Sequence, residues 1–517
     1  MTEHCSRELI LLRPDDDVAV AIAPILRGAD LVVAGRSLRA GAAIPAGHKI
    51  ALRRVAVGKP VRKYGYEIGQ ASTMIEPGDW VHTHNLTAGI LTQECEFSID
   101  VQPVEPARAP RTFMGYERPD GRAGTRNWVA VVATVNCAAD AARLIAERLR
   151  REALPAYPNV DGVAVIAHGS GCGLAIGSSE HRTLQRCLTG IISHPNVAGA
   201  MLVGLGCEVN QACDLIAHTG VVSPQSLIAG QPAPPPVLSI QDLGGISATV
   251  EAGVALGIQL LQTANSCVRT PQPLARLTVG TNCGGSDGNS GLTANPALGM
   301  AGDLLVSHGA GWVLAETPET YGAEHLLTRR AVRPEVGKDL VALMRWWDRY
   351  TIIHGASVDN NPAPGNKAGG ITTVYEKSLG AVMKAGSSPL MAVYGYGQQV
   401  VERGLTFMDT PGHDPTSVTG LVAGGCNLVA FTTGRGSCMA FNPVPVLKIA
   451  TNSGLYRRMS GEMDIDAGVI LDGVPMARVA HEIAEAIIAS ASGEPTRAER
   501  PGLGDSTFVP WTLGLVL

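Results

Sequence analysis

The 517-residue sequence has few aromatic residues, only 4% of the total, and no long hydrophobic run. No apolar run approaches the ~20 residues that a membrane-spanning helix needs, and the N-terminal segment lacks the layout of a secretory signal. The formal net charge is −5 with mixed signs, so there is no basic stripe for nucleic acid or an anionic membrane. These absences predict a cytoplasmic protein that acts on small molecules.

Glycine and cysteine are the informative residues that are present. The 61 glycines and a hydrophobic content of 45% predict a compact, enzyme-like protein rich in tight turns. The 11 cysteines are odd in number and scattered, which argues against a disulfide scaffold and favours metal-binding or catalytic roles. At ~150 residues per domain, the length predicts roughly three structural units.

The pattern of short strands, prolines and helices divides the chain into these units. Residues 1–104 contain brief apolar segments separated by turns, the pattern of a small β module. A proline-rich linker follows at 105–115. Strands then alternate with helical segments, which predicts parallel sheets in two α/β regions, 116–270 and 271–517.

The stretch Leu277–Gly299 holds the densest set of reactive groups. It reads as a short strand, a glycine-rich loop and the start of a helix. Glycines let backbone N–H groups approach a ligand, and a helix N-terminus favours anions. Cys283, Ser286, Asp287 and Asn289 add a thiol, a hydroxyl, a carboxylate and an amide. The loop suits an anionic, polyhydroxylated substrate beside a metal, whereas a connector without a ligand is the alternative.

Four strand-like runs are each followed by a loop that carries a cysteine. Because ligands bind beyond the carboxyl ends of parallel strands, we expect the four thiols to meet at one sheet edge. Thiolates favour iron, iron–sulfur clusters or zinc, although the spacing contains no CxxC pair. A packed thiol is the alternative for each cysteine taken alone. These cysteines are Cys137, Cys172, Cys207 and Cys283.

The tetrapeptide His82-Thr83-His84-Asn85 is a second candidate. Side chains two residues apart in a strand share a face, so the two histidines are predicted to address one metal or one substrate. Two surface histidines at this spacing also occur without a function. The pair therefore predicts a site only if the segment is a strand.

Cationic side chains in turns are candidates for binding a carboxylate. Arg126 lies in the lead-in to the first α/β region, and Arg435 lies between two glycines. Lys367 lies in a loop rich in asparagine, proline and glycine, where it can bind a carboxylate or act as a base. Solvated side chains and a structural salt bridge are the alternatives. By contrast, Glu316 and Glu319 are interpreted as solvated helix-end carboxylates.

Over nearly its whole length the chain resembles the altronate/galactarate dehydratase family. The resemblance implies a small N-terminal β-rich SAF-type domain, then a larger α/β part with mostly parallel sheets in two subdomains. It also implies a homo-oligomer, expected as a dimer. The resembling segments are VHTHN at 81–85, GYERPDGRAGTRN at 115–127, GCG at 171–173, HPNVAGAMLVGLGCEVNQ at 194–211, CGGSDGNSGLTANPALG at 283–299, NPAPGNKAGGITTVYEKSLG at 361–380, FTTGRGS at 431–437 and KIATNS at 448–453.

The resemblance implies a hydro-lyase that converts D-altronate, or a related aldonate or aldarate, to a 2-keto-3-deoxy acid by metal-assisted loss of water. The histidine pair, Glu316–Leu326 and Gly365–Leu379 are similar to the altronate branch, whereas His168–Leu174 departs from its pattern. Galactarate dehydratase and sulfolactate sulfo-lyase activities, both found in the family, therefore stay open. A non-catalytic sugar-acid binding protein is the remaining alternative.

The resemblance also implies a cofactor and roles for the candidate residues. The cofactor is Fe2+, as a single ion or an iron–sulfur cluster, with Mn2+ or Mg2+ as substitutes. Which group is the base and which the acid stays open. The candidates are His82, His84, His168 and Lys367 for catalysis, Arg126, Ser286, Asp287, Asn295, Asn366 and Arg435 for the substrate, and Cys137, Cys172, Cys207 and Cys283 for the metal.

Overall fold

A computed structural model describes residues 8–89 and 94–513. It contains a β-rich N-terminal module and two α/β units built on parallel sheets, which confirms the predicted fold class. Within these residues, no helix has both the length and the apolar composition needed to cross a membrane.

The N-terminal module consists of three small antiparallel sheets, ordered β1-β2-β5-β8, β3-β4 and β6-β7-β9. Its strands are short and separated by turns, and buried aliphatic residues such as Val61, Ile68 and Ile75 fill the space between the sheets. The strands are β1 (Leu9–Ile10), β2 (Val18–Ala21), β3 (Asp30–Val33), β4 (Arg36–Arg39), β5 (Lys49–Ala51), β6 (Pro60–Lys63), β7 (Tyr66–Ala71), β8 (Trp80–Val81) and β9 (Leu86–Thr87).

The first α/β unit has the strands β10 (Thr112–Glu117), β11 (Ala123–Gly124), β12 (Trp128–Ala133), β13 (Gly162–Ile166), β14 (Val197–Gly204), β15 (Val237–Ser239) and β16 (Arg269–Pro273). Its helices are α1 (Ala139–Glu152), α2 (Ser179–Ile192), α3 (Ala212–Thr219), α4 (Pro224–Ile228) and α5 (Ile246–Asn265).

The core of this unit is a parallel sheet ordered β13-β12-β14-β15. β12 and β14 are continuous apolar runs because helices cover both faces of the sheet. α1 packs against α5 on one face, with Ile145 and Leu149 on the buried side of α1. β10 pairs antiparallel with β11 and β16, so the beginning and the end of the unit are joined.

The second α/β unit has the strands β17 (Thr278–Cys283), β18 (Gly311–Leu314), β19 (Leu390–Tyr394), β20 (Gly404–Met408), β21 (Leu428–Thr433), β22 (Val446–Ala450) and β23 (Ile465–Asp466). Its helices are α6 (Ala294–Ser307), α7 (His325–Thr328), α8 (Pro334–Ile353), α9 (Pro364–Ala368), α10 (Val374–Ala381), α11 (Asp414–Ala423), α12 (Ser453–Arg458) and α13 (Met476–Ala491).

These strands form one parallel sheet in the order β19-β20-β18-β17-β21-β22-β23. β17 lies in the middle, with β18 on one side and β21 on the other, so the strand order reverses there. Open α/β sheets bind their ligands at such a switch point, beyond the carboxyl ends of the strands. The topology therefore directs attention to the loop that follows β17.

The two α/β units share one hydrophobic core. It includes Val132 and Leu202 of the first sheet, Phe431 of the second, and Phe508 and Trp511 of the C-terminal segment. α2 packs directly on α11 across this boundary. The two sheets are thus parts of one packed body.

Candidate active site

The loop that follows β17, residues 284–293, is enclosed by the N-terminal module on one side and by the residues after α9 on the other. Gly288 N–H donates a hydrogen bond to Gly369 O at 2.8 Å. A side chain at Gly288 would collide with the carbonyl of Gly47, which belongs to the N-terminal module. Glycine is therefore required here because three backbone segments approach one another.

Asp287 and Asn295 hold this loop in place. Asp287 Oδ1 accepts hydrogen bonds from Thr451 Oγ1 at 2.9 Å and Ser290 Oγ at 3.1 Å, and burial raises its pKa. Asn295 Nδ2 donates to Gly380 O at 2.9 Å. Both side chains are buried and bonded within the protein, so they shape the loop rather than offer free groups to a substrate.

Ser286 is part of this loop, and two other predicted residues, Asn366 and Arg435, contact it. Asn366 and Lys367 lie on α9, so the prediction of a loop was wrong at these two residues. Asn366 Nδ2 donates to Ser286 O at 2.9 Å, which places Asn366 against the loop after β17. Ser286 Oγ is buried and has no partner among the described residues. Arg435 N–H donates to Gly285 O at 2.8 Å, while its side chain is exposed and forms no ion pair in residues 8–89 and 94–513. The structure thus places the Ser286 hydroxyl in the loop and the Asn366 amide and the Arg435 backbone in contact with it.

The histidine pair lies in a turn, so the prediction of a strand was wrong. Asn85 Oδ1 accepts a hydrogen bond from His82 N–H at 2.9 Å, which closes the turn between β8 and β9. Both rings still lie on Trp80, with ring-centroid distances of 5.2 Å for His82 and 5.3 Å for His84. The indole therefore keeps the two histidines together in place of a strand.

A third histidine, His48, joins this group and connects it to α9. Its Nδ1 accepts a hydrogen bond from Trp80 Nε1 at 3.2 Å, and its Nε2 lies 3.4 Å from Ala368 O at the end of α9. The rings of His48 and His82 are 5.0 Å apart. His82 Nδ1 is buried without a partner among the described residues, and burial together with the nearby Lys49 lowers the His82 pKa to about 4.

A buried ion pair fixes the module to the second α/β unit. Lys49 Nζ and Lys63 Nζ lie 2.8 Å and 2.9 Å from the two carboxylate oxygens of Glu376 on α10. Burial alone would raise the Glu376 pKa, but the two ammonium groups outweigh it and hold the pKa well below its usual range. The ion pair therefore fixes β5 and β6 of the module, and with them the neighbourhood of His48, against α10.

Three of the four predicted metal ligands lie at one edge of the first sheet. Cys137, Cys172 and Cys207 follow β12, β13 and β14, which are adjacent strands, and all three thiols are exposed. The backbone turns sharply beside two of them, at Gly171 and Gly206, where φ is +101° and +123°. Among the described residues their ligand atoms do not form a group within 4.8 Å of one another, so the structure places the three thiols at one edge without closing a set of metal ligands. Thiols are nevertheless ligands that iron accepts.

His168 supports this edge but offers no free nitrogen. Its Nε2 lies 3.1 Å from Ala133 O at the end of β12, and its Nδ1 accepts a hydrogen bond from Ser170 N–H at 3.2 Å. Burial lowers its pKa to about 4, so the ring is neutral at neutral pH. These bonds make His168 a positioning residue for the Cys172 loop rather than a proton-transfer group.

Arg126, predicted to bind the substrate carboxylate, is instead part of a structural ion pair. Its Nε and Nη2 lie 2.7 Å and 2.8 Å from the two carboxylate oxygens of Glu499. Nη1 donates to the carbonyl groups of Thr125 and Ser490 at 2.8 Å and 2.7 Å. The guanidinium is buried and fully engaged, so it ties the C-terminal segment to the first unit.

Cys283, the fourth predicted metal ligand, lies in the other sheet, so the prediction of one shared edge was wrong for this residue. Its thiol is buried and lies 2.7 Å from Lys384 Nζ and 3.0 Å from Glu319 Oε2. Lys384 Nζ also lies 3.0 Å from Glu316 Oε2, and Lys377 Nζ lies 2.6 Å from Glu319 Oε1. Burial and the two glutamates raise the Cys283 pKa well above its usual value.

The interpretation of Glu316 and Glu319 as solvated carboxylates was also wrong. Their side chains are 0% and 2% exposed. Glu316 adopts a left-handed backbone conformation with φ of +70°, and its Oε1 has no partner among the described residues. Backbone strain in a non-glycine residue is typical of functional sites. These two residues, with Lys377 and Lys384, are the part of the site that sequence reasoning missed.

This buried cluster does not fit a metal ion. Ligand atoms of Cys283, Glu316 and Glu319 lie within 4.8 Å of one another, as metal ligands would. However, the ammonium groups of Lys377 and Lys384 already bind the same thiol and carboxylates, and they supply the compensating positive charge. Cys283 is therefore not assigned as a metal ligand.

Family models of known proteins match all three parts of the chain. The altronate/galactarate dehydratase SAF domain matches residues 7–89, and the D-galactarate dehydratase/altronate hydrolase second domain matches 115–265. The D-galactarate/altronate dehydratase C-terminal domain matches 274–516. The chain belongs to the altronate/galactarate dehydratase family.

Curated members of this family are similar to the chain over most of its length. The altronate dehydratase of Bacillus subtilis (strain 168) is 36% identical over 96% of this chain and 97% of its own length. The altronate dehydratase of Escherichia coli (strain K12) is 35% identical, over 94% of this chain and 95% of its own. The galactarate dehydratase (L-threo-forming) of the same organism is 37% identical over 83% and 82%.

In this member of the altronate/galactarate dehydratase family, the candidate groups come from all three matched parts. The SAF-type module contributes His48, His82 and His84, and the second domain carries the three exposed thiols. The C-terminal domain provides the loop after β17 and the buried cluster behind it. No single domain therefore contains the whole set of candidate groups.

Proposed function

We propose that the chain is a sugar-acid dehydratase that converts D-altronate to a 2-keto-3-deoxy acid by β-elimination of water. Its similarity to two altronate dehydratases along the whole chain supports this substrate. The observation that carries the proposal is the group of free polar side chains around the loop after β17. The supporting contacts are those of His48 with Ala368 O, of Asn366 with Ser286 O and of Arg435 N–H with Gly285 O, next to a switch point of a parallel sheet.

The reaction asks the site to stabilise negative charge and to move a proton. The proton at C2 is weakly acidic because it lies beside a carboxylate, and its removal places more charge on that carboxylate. Lys367, which follows Asn366 in the chain, and Arg435, whose backbone N–H bonds Gly285 O, are the cations that bind the carboxylate in this proposal. Ser286 Oγ, which has no partner among the described residues, donates or accepts a hydrogen bond with a substrate hydroxyl.

A histidine of the module is the proposed base. A base must be unprotonated before it acts, and the low pKa of His82, about 4, keeps it neutral at neutral pH. His82 Nδ1 has no partner in the described part of the chain, so it is free to accept a proton. His84, which is exposed and lies 5.3 Å from the Trp80 ring, is the second candidate.

Iron is the proposed cofactor, and Cys137, Cys172 and Cys207 would hold it, as a single ion or as a cluster with an open position. When bound, iron supplies Lewis acidity for the substrate oxygens. A set of thiols favours iron over magnesium, because magnesium prefers oxygen ligands.

Free thiols and thiol-bound iron suit a reducing compartment, so we also propose a cytoplasmic enzyme. A homodimer is its proposed state, testable by light scattering.

Turnover of a panel of acids tests the proposed function. The protein is purified without oxygen and assayed with and without Fe2+ on altronate, galactarate, glucarate, mannonate, gluconate and sulfolactate. We expect dehydration of altronate that depends on iron. Sulfite release from sulfolactate would identify a sulfo-lyase instead. Full activity of an iron-free protein with Mg2+ alone would contradict the thiol-bound iron.

A further inference from the structure

The buried cluster behind the loop contains one carboxyl group more than it has cations. Lys384 pairs with Glu316, and Lys377 pairs with Glu319. The third carboxyl group belongs to Asp414, the first residue of α11. Both ammonium groups are engaged by the glutamates. Asp414 therefore forms no ion pair within residues 8–89 and 94–513.

Asp414 is the member of the cluster that reaches the ligand loop. It is half-buried, whereas Glu316 and Glu319 are buried behind it. Asn282 Nδ2 lies 3.4 Å from Asp414 Oδ1, and a side chain at Gly284 would collide with Asp414 Oδ2. The carboxyl group thus lies directly against the first residue of the loop that follows β17.

The charges around Asp414 favour its protonated form. Glu316 and Glu319 face it from the loop after β18, Lys377 from α10 and Asn282 from β17. Burial raises the Asp414 pKa, the two glutamates raise it further, and the total brings it to about 8 against the opposing effect of Lys377 and Asn282. Its neighbour His413 is exposed and turns Nδ1 towards Thr416 Oγ1 at 2.9 Å.

We infer that Asp414 is the general acid that protonates the leaving hydroxyl of a sugar acid bound at the loop after β17. This inference rests on the proposed dehydratase function. It adds a residue that contacts the loop at Gly284, whereas the module contacts it at Gly288. Elimination of water is assisted by a base for the C2 proton and by an acid for the leaving hydroxyl.

The step balances as follows for a 2,3-dihydroxy acid. The base takes the proton from C2, and the C–H electron pair becomes the C2–C3 double bond of an enol. The C3–O bond breaks, and its electron pair leaves with the hydroxyl group, which takes the Asp414 proton and departs as water. The enol then becomes the 2-keto-3-deoxy acid, and solvent returns the proton to Asp414. No oxidant or reductant is consumed.

A change of leaving group tests this role. Fluoride needs far less protonation than hydroxide when it departs, so a 3-deoxy-3-fluoro analogue of altronate bypasses a general acid. The iron-loaded Asp414→Asn variant is expected to lose about 10²–10⁴-fold in kcat on altronate, the usual contribution of general acid catalysis. On the fluoro acid we expect a loss of less than about tenfold, because only positioning is disturbed.

Asp409→Asn is the matched control. Asp409 lies five residues earlier on the same loop, and its buried carboxylate bonds Thr317 Oγ1 and Trp347 Nε1, away from the proposed chemistry. A structural disturbance of this loop should lower turnover of both substrates by the same factor. Equal losses for Asp414→Asn, or no loss on altronate, would overturn the role of Asp414.

Wild-type protein provides a second measurement that needs no variant to fold. Its kcat on altronate should fall on the alkaline side of pH 8, where Asp414 loses its proton, while kcat on the fluoro acid should not. The same alkaline fall on both acids would contradict the inference. Absence of turnover on every acid, including the fluoro acid, would contradict the dehydratase function itself.

Discussion

Two regions of this protein place a cysteine at the carboxyl end of a parallel strand, and they use it differently. In the first α/β unit, Cys137, Cys172 and Cys207 are exposed at three adjacent strand ends. In the second, Cys283 is buried between Lys384 and Glu319. The same residue in the same topological position is thus free for a ligand in one unit and part of a charge network in the other.

The difference shows that partners and burial decide what a strand-end residue does. A thiolate must form before a thiol binds iron, and burial in low dielectric disfavours that charge. Burial raises the Cys283 pKa well above its usual value, with Glu316 and Glu319 adding to the effect. The thiols of Cys137, Cys172 and Cys207, by contrast, are exposed. Substitutions in the two regions should therefore have different consequences.

The largest expected effect comes from the exposed thiols. Cys172→Ser should lose bound iron, and the loss of several kcal/mol of metal stabilisation should lower kcat on the order of 10³-fold. Cys283→Ser, the matched variant at the other sheet, should keep its full iron content. Iron per chain and the absorption spectrum measure this directly. Iron retained by the first variant, or lost by the second, would contradict the division between the two regions.

The next largest effect is on stability and belongs to the buried region. Lys384→Met removes the cation that bonds both Cys283 and Glu316, so it leaves a buried carboxylate without its partner. We expect a loss of about 3–5 kcal/mol in the free energy of unfolding, measured with denaturant. Lys384→Met combined with Glu316→Gln should recover part of that loss. A single variant as stable as the wild type would show that the pair is not structurally required.

The sequence alone predicts much of the fold because the parallel strands are continuous apolar runs. β12 and β14 stand out in this way, and the loops that follow them are correctly placed at strand ends. Which sheet a strand joins is not encoded locally, so β17 could not be separated from the strands of the first unit. The error over Cys283 follows from that, since sheet order is a tertiary property.

Some residues of the candidate site could be predicted from the sequence, and others could not. Glu316 follows β18 closely, as the cysteines follow their strands, and this signal was available. Lys384, 101 residues from Cys283 in the chain, carries no local mark of its role. The Trp80 ring that holds His82 and His84 together likewise replaces the strand that the spacing suggested. The residues that the sequence did not reveal are therefore the ones that long-range packing brings to the site.

A third prediction concerns the pH dependence of the exposed-thiol region. The His168 pKa falls from its usual 6.5 to about 4 because of burial. Between these values the unfolded chain binds a proton that the folded chain does not, so stability falls as the pH falls from 6.5 to 4. Each pKa unit corresponds to about 1.4 kcal/mol. Between pH 6.5 and pH 4, the free energy of unfolding of His168→Gln should therefore fall by roughly 2–4 kcal/mol less than that of the wild type. Parallel stability curves for the two proteins would contradict this account.

The smallest expected effect contrasts an exposed arginine with a buried one. Arg435 is exposed and has no ion pair among the described residues, so Arg435→Met should leave the free energy of unfolding within about 0.5 kcal/mol of the wild type. Its loss should raise KM for altronate roughly tenfold, the worth of one charge-assisted contact. Arg36→Met removes an exposed arginine on the β3–β4 ribbon; it is the control and should change neither quantity.

Arg126→Met should instead lower the free energy of unfolding, because Glu499 loses both of its bonds to the guanidinium. An unchanged KM for Arg435→Met would remove Arg435 from the substrate site and leave Lys367 as the cation proposed to bind the carboxylate.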